Sequence, residues 1–431
     1  MFVRIDNVPR DYAWGSSHGI AELLGRTPSG GPEAELWLGA HPGSPSVLVP
    51  PVGEATTLAA LISDDPGAML GSEWLDFERL TEGGVEALER GSSHAPSTGG
   101  EERAPHLGYL LKVLSAAAPL SIQAHPSPEQ ALAGFQRENA LGIPLDSPER
   151  NYKDPFHKPE LIYAVTPFDA LCGFRSLAAS FAVIDELVDV GQAEALPRDE
   201  LEVLLGVLAG GDDAESALRA SVGLLLGGGD AAEEIVQQAT DIARSASGRS
   251  VPEFDIVRLL ADAYPGDPGV VLALLLNRVA LRPGEALYLP AGNIHAYLSG
   301  TGIELMAASD NVLRGGLTPK HIDVPELLRV LDFAPVPPPL LAPVRSGALE
   351  LFEPDVPDFR LAHVTADAVL DPWGPSILLC TAGTVRAVGR RGAIELERGQ
   401  ACFVSPEEGE LRFTLGDGAT LFAAMPNLLP A

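Results

Sequence analysis

The sequence predicts a mainly β chain with a helical insert: two jelly-roll-like barrels, a metal-binding one and a degenerate C-terminal one, plus an α-helical domain. Three observations predict this. Short apolar runs cut by Pro and Gly fill residues 1–175, strand texture resumes from Leu274 to about Ala308, and it returns beyond residue 345. Between the first two, Leu201, Leu204, Leu205 and Leu208, then Leu218, Val222 and Leu225, recur at helical spacing, punctuated by Gly210-Gly211 and by Gly227–Gly229. Finally, the segment Arg282–Pro290 matches Glu397–Ser405, with Gly284 on Gly399, Ala286 on Ala401 and Tyr288 on Phe403.

These signals divide the chain into residues 1–175 with 264–335, a helical insert at 176–263, and a C-terminal β domain at 345–431. Pro335–Pro343, with Pro337, Pro338 and Pro339 in a row, is stiff and unsuited to strand pairing, so it reads as a linker. Gly91–Pro105 is low-complexity and polar, which predicts a mobile surface loop. In the C-terminal domain the expected strands are Ile377–Thr381, Ala401–Val404, Leu411–Leu415 and Thr420–Ala424. Each copy of the repeat is a Gly turn followed by an aromatic-containing strand. The first copy continues through Pro290-Ala-Gly-Asn-Ile-His295, a P-x-G-x-x-H run that resembles the second cupin motif, in which a turn delivers His into a barrel mouth. In the second copy Glu410 takes the place of His295, so only the first barrel is expected to hold a metal.

Bulk composition narrows the function. A chain of 431 residues, 46% hydrophobic and 20% charged, suffices for two or three packed domains and does not resemble a disordered polymer. A net charge of −30 argues against nucleic acid or an anionic membrane as partner. No apolar run has the length of a membrane span, and Met1–Arg10 lacks the pattern of a secretory signal. Cys172, Cys380 and Cys402 are too few for a disulfide framework and too scattered for a metal site, so they read as small core residues in a cytoplasmic protein. A monomer acting on a small molecule is the expected state.

Three segments carry metal chemistry. In Leu120-Ser-Ile-Gln-Ala-His125-Pro, strand alternation puts Ser121, Gln123 and His125 on one face and Leu120, Ile122 and Ala124 on the other. In His157-Lys-Pro-Glu160 the same rule aligns Lys158 with Glu160, and the third piece is His295. Each residue alone is more often an ordinary polar residue; together, two imidazoles, one carboxylate and one amide oxygen suit a single Zn²⁺ with a position left for water or substrate. One carboxylate against a dication leaves the metal strongly Lewis-acidic. His18, His41, His94, His106, His157, His321 and His363 lack such support and are read as structural or surface residues.

Here the chain resembles the type I mannose-6-phosphate isomerase family of zinc-dependent cupins. The resemblance rests on Tyr12-Ala-Trp-Gly15, Glu35-Leu-Trp-Leu-Gly-Ala-His41-Pro, Leu120–Pro126, His157-Lys-Pro-Glu160, Gly292–Leu298 and Asn311–Lys320. It implies that Gln123, His125, Glu160 and His295 bind zinc, that Arg314 and Lys320 work in the active site, and that Glu304 and Lys158 join them. It also implies an aldose–ketose isomerisation, in which a proton moves between C1 and C2 and an enediolate must be stabilised. Glu304, separated by alternation from Ile303 and Leu305, is the preferred base, with pairing to a cation as the equal alternative. Asp310 is a weaker candidate that also suits a turn cap. Arg314, Lys320, Lys112 and Lys158 offer cations for a phosphate, though Lys112 also fits a snorkelling strand residue. Trp14 either lines the pocket or packs as a buried aromatic, and Trp37–His41 reads as structural. Two rivals stand beside this reading. An iron-dependent cupin oxygenase would favour an imidazole-rich set over Gln123, and a non-catalytic sugar-sensing cupin would have no use for Glu304, Arg314 and Lys320 together.

Overall fold

The computed structural model describes residues 1–76, 105–246 and 251–428, so most of the Gly91–Pro105 segment lies outside the described residues. The chain is mostly β with helices. Among the described residues the strands form a ten-stranded, a nine-stranded and a four-stranded sheet.

Strand His295–Ala307 is the spine of the ten-stranded sheet. Its first half pairs with Ile122–Ala124 and Phe168–Phe174, and from Gly300 onward it lies between Tyr109–Ala116 and Glu160–Ala164. Alternation sorts the side chains of these strands. Leu111, Val113, Leu161, Tyr163, Ile303 and Leu305 point outward, into a core shared with the nine-stranded sheet. Leu114, Ala116, Ile162, Ala164, Leu287 and Leu289 point the other way and form a separate inner cluster with Phe168 and Tyr297.

The nine-stranded sheet meets the shared core with Phe352, Ile377, Leu379, Phe403 and Phe422. Its strands Ser376–Ala382, Ala401–Val404 and Thr420–Met425 fall where the sequence predicts them, as does Leu411–Leu415 in the four-stranded sheet. Phe2–Asp6, Val47–Val52 and Ala55–Thr57 join the same nine-stranded sheet, Phe2–Asp6 directly against Ala401–Val404. The chain therefore begins in the sheet in which its last strands lie. The proline-rich bridge needs a correction: Leu340-Leu341 pair with Ala286-Leu287, and the Pro339 carbonyl accepts a hydrogen bond from Tyr288 N. Proline lacks a donor but keeps its acceptor, and the two leucines after it keep both.

Both turns of the internal repeat are real: Gly284 and Gly399 have φ of 95° and 83°, in the left-handed region that admits Gly without strain. Among the described residues, five helices between Leu177 and Ala263 bury Leu201, Leu204, Leu208, Leu218, Val222 and Leu225 in a third core. Ile122, Ala124, Leu313 and Leu317 join that core, so the helices brace the outer side of the strands beside the candidate site. Among the described residues no helix is long and apolar enough to cross a membrane.

Candidate active site

Strand register builds the site. Gln123 lies opposite His295 on one side and Arg314 on the other, so three adjacent strands present these side chains on one face. Glu160 opens strand Glu160–Ala164, opposite Met306 and Leu289. Across strands Glu35–Leu38, Tyr109–Ala116 and His295–Ala307, Trp37, Lys112 and Glu304 form one rung of the same inner face. Below these polar residues the inner cluster closes the interior with apolar side chains.

His125, Glu160 and His295 are buried, and their ligand atoms lie within 4.8 Å of one another. His125 Nδ1 is 2.8 Å from the Asn311 carbonyl, and His295 Nδ1 is 3.1 Å from the Asn293 carbonyl. A carbonyl only accepts, so both rings carry their proton on Nδ1 and turn a bare Nε2 inward. Those nitrogens face the Glu160 carboxylate at 3.3 Å and 3.4 Å, lone pairs against lone pairs. His125 Nε2 and Glu160 Oε2 have no hydrogen-bond partner among the described residues, although both are buried. Leaving such atoms unpaired in an apolar interior is costly, and a cation at their centre removes the cost. The Gln123 amide is 3.4 Å from His295 Nε2, and an end-for-end turn presents its oxygen instead. The donor set fits a Zn²⁺ ion with N and O ligands.

Electrostatics prepare the same set. Burial, and then Lys158, push His125 down to about 4, which keeps its imidazole neutral and able to ligate. Burial works upward on Glu160, but Lys158 at 3.1 Å outweighs it and holds its carboxyl well below the usual range. Glu304 Oε2 accepts from Lys112 Nζ at 2.9 Å, and the Glu35 carboxylate stands 3.7 Å from the same ammonium. Burial raises Glu304, against Lys112, and nearby Glu160 and Glu35 add to the rise. For Lys112, the three carboxylates outweigh burial and hold it protonated.

Beside this cluster lies a cleft of about 470 Å³ lined by Arg150, Lys153, Asp310, Arg314, Lys320 and His321 among others. Lys153, Arg314 and Lys320 have no ion-pair partner among the described residues. Burial lowers Arg314, and burial with Arg314 and Lys153 lowers Lys320, and the cleft, which Asp146 and Asp310 also line, holds an excess of positive charge in a chain of net charge −30.

Known proteins match this chain in sequence and fold. Residues 84–177 match the family phosphomannose isomerase type I, catalytic domain. Mannose-6-phosphate isomerase of Escherichia coli (strain K12) is 37% identical over 94% of this chain and 95% of that protein. The chain belongs to the mannose-6-phosphate isomerase family. The enzyme of that name from Bos taurus is 32% identical over 97% of this chain and 96% of its own length. The crystal structure of mannose 6-phosphate isomerase from Salmonella typhimurium bound to substrate (f6p) and zinc superposes with a TM-score of 0.81 at 34% identity. It covers 99% of this chain and 100% of that one.

In this member of the mannose-6-phosphate isomerase family, the structure brings Gln123, His125, Glu160, His295, Lys158, Lys112 and Glu304 to one inner face, with Arg314, Lys320 and Asp310 at the adjoining cleft. Ser121 and Leu120 precede the short strand Ile122–Ala124; Ser121 is half-buried, and Leu120 escapes the alternation, packing on the inner apolar cluster, away from Ile122 and Ala124. Trp14 packs on that same cluster and lines no part of the cationic cleft. Other residues at the site escaped the sequence reading. His41, taken as structural, is buried 3.5 Å from Asp310, and its ring meets Trp37 edge-on. Lys153 and His321 reach the cleft from outside the strands. Asn311 ties these parts together. Its carbonyl fixes His125, and its buried side chain accepts from Lys153 N and Asp154 N while donating to the carbonyls of Asp154 and Phe156. Asn311 and His41 lie inside motifs quoted above, and that position was the available signal.

Proposed function

We infer that this protein interconverts mannose 6-phosphate and fructose 6-phosphate in the cytoplasm, with one zinc ion held by Gln123, His125, Glu160 and His295. The observation that carries the reading is the buried trio of two bare imidazole nitrogens and a carboxylate beside unpaired cations. We further read the ten-stranded sheet as a metal-binding cupin and the C-terminal sheets as its degenerate copy. The turn-and-strand repeat supports this, as does the apolar filling of the second copy. The helices of residues 176–263 form the third unit.

Zinc, when bound, supplies Lewis acidity where negative charge develops on the C1 and C2 oxygens. The side chains do the rest. Lys153, Arg314 and Lys320 take the phosphate dianion in the open cleft, where Arg offers a planar fork and Lys a point charge. Glu304, raised by burial and held by Lys112, takes the proton from one carbon and returns it to the other on the same face. Lys112 and Lys158 stabilise the oxyanions that form as the proton moves. His41 and Asp310, 3.5 Å apart at the mouth, orient the sugar hydroxyls.

The test is to assay fructose 6-phosphate formation from mannose 6-phosphate before and after chelation. Turnover lost with chelator and restored by zinc is the expected result. A folded, zinc-loaded protein without turnover overturns the reading in favour of a sugar-binding protein.

A further inference from the structure

Between the helical region and the ten-stranded sheet lies a joint that the reaction as described does not use. Helix Pro252–Ala263 ends, and the next residues reach back to two segments flanking the site. The Tyr264 hydroxyl donates to the Pro119 carbonyl at 2.8 Å, just before the Gln123 strand. Asp267 then receives three backbone N–H groups: Oδ1 accepts from Gly269 at 2.7 Å and from Leu317 at 2.8 Å, and Oδ2 accepts from Thr318 at 3.1 Å.

What Asp267 holds is unusual backbone. Leu317 is a buried, non-glycine residue at φ 54°, in a region that L side chains rarely adopt. The approach is built for close contact. A Cβ on Gly269 would stand 2.8 Å from Leu317 N, and one on Gly316 would stand 2.7 Å from the Gly269 Cα and 2.9 Å from Asp267 Oδ1. Only glycine at both positions lets the two backbones meet and the carboxylate reach across. The turn held this way leaves the Arg314 strand and leads within three residues to Lys320, whose backbone N–H bonds the Thr318 hydroxyl at 3.1 Å.

We propose that Asp267 is a positioning residue for the isomerase. It fixes the Leu317–Thr318 turn in its left-handed form and thereby sets Arg314 and Lys320 against the phosphate of the substrate. The inference rests on the functional reading above. An anion acceptor fits the task because three backbone donors converge on it, and charge-assisted bonds of this kind are the strong ones. A small displacement of the turn would move both cations and weaken phosphate binding without touching the metal set.

The experiment compares wild type with Asp267→Ala and Asp267→Asn. It measures zinc content, the KM and kcat for mannose 6-phosphate, and the affinity for inorganic phosphate by calorimetry. Asp267→Ala is expected to raise KM and weaken phosphate binding by the same factor, roughly tenfold or more, with kcat falling less and zinc content unchanged. Asp267→Asn keeps the Oδ1 acceptor for Gly269 and Leu317 and loses the acceptor for Thr318, so it should fall between the two. If Asp267→Ala does not fold, the asparagine variant decides by the same signature. Wild-type KM and phosphate affinity in the folded variants would overturn the proposal, and so would a loss of kcat and zinc at unchanged phosphate affinity. A wild type that binds phosphate without turning over mannose 6-phosphate would defeat the functional reading, while the phosphate measurement still judged Asp267.

Discussion

Ala286–Leu289 and Ala401–Val404 are short strands entered from glycine turns, and their faces correspond residue by residue. Ala286 and Ala401 face the core shared by the two large sheets. Leu287 and Leu289 face one inner cluster, and Cys402 and Val404 face another. Beyond that point the copies diverge. In the first, the inner face goes on to Glu160, His295, Gln123, Glu304 and Lys112, all polar. In the second, Leu378, Cys380, Leu396, Leu421 and Met425 fill the interior, and Glu410, at the position of His295, is exposed and paired with Arg412. One pattern of turn and strand therefore serves two interiors. An interior filled with hydrocarbon is stable by burial alone, whereas one lined with charges needs each charge met by a partner or an ion.

The largest expected effect breaks the first interior. His295→Ala removes a buried imidazole that faces Glu160 at 3.4 Å. Zinc content and turnover should fall together, turnover by several kcal/mol of lost stabilisation, roughly 10³-fold or more. Metal analysis of the purified variant beside its assay checks this. Full activity without bound zinc would end the assignment of the ligand set. Glu304→Gln asks a finer question of the same face, because it spares the metal trio and alters only the partner of Lys112. Zinc should stay while kcat falls by roughly 10²–10⁴-fold. An active, zinc-replete Glu304→Gln enzyme would leave Glu304 as a structural counter-ion.

The second interior should respond in stability alone. Leu378 is fully buried among apolar neighbours, so Leu378→Ala should cost about 2–5 kcal/mol of unfolding free energy. The kcat/KM and zinc content of the folded fraction should stay at wild-type values. A fall in zinc occupancy at constant fold would show that the two interiors are coupled, and would erase the contrast.

Much of this was legible in the sequence, and the gaps have physical causes. Alternation in strands and 3.6-residue spacing in helices are local, so the strands of the C-terminal half and the positions of the helices follow from the chain itself. The grouping of His125, Glu160 and His295 was legible because these residues sit on strands or turns whose geometry fixes which way each points. Leu120 was misassigned because alternation was carried past the end of a strand that spans only Ile122–Ala124. Lys153, His41 and Asn311 sit on loops, where no period ties side-chain direction to sequence position. The pairing of Phe2–Asp6 with Ala401–Val404 joins residues about 400 apart, and no local pattern encodes it.

The smallest effect concerns the contact between the two halves. His157, three residues before Glu160, meets Asp358 of the C-terminal half with Nε2 at 3.0 Å from Oδ2. Burial works downward on His157, but Asp358 outweighs it, so the folded imidazole has a raised pKa. A group raised on folding stabilises fully below its unfolded pKa, near ~6.5, and loses that contribution as pH rises through the folded value. Wild type should therefore exceed Asp358→Asn in stability by about 1 kcal/mol in mild acid, and the difference should shrink toward zero in mild alkali. Urea midpoints of both proteins at roughly pH 5.5 and pH 8.5 measure it. A gap that widens with pH would mean that the aspartate is held by something other than a protonated imidazole. In that case the joint between the polar and the apolar half would be maintained by packing in the shared core, with no electrostatic share from this pair.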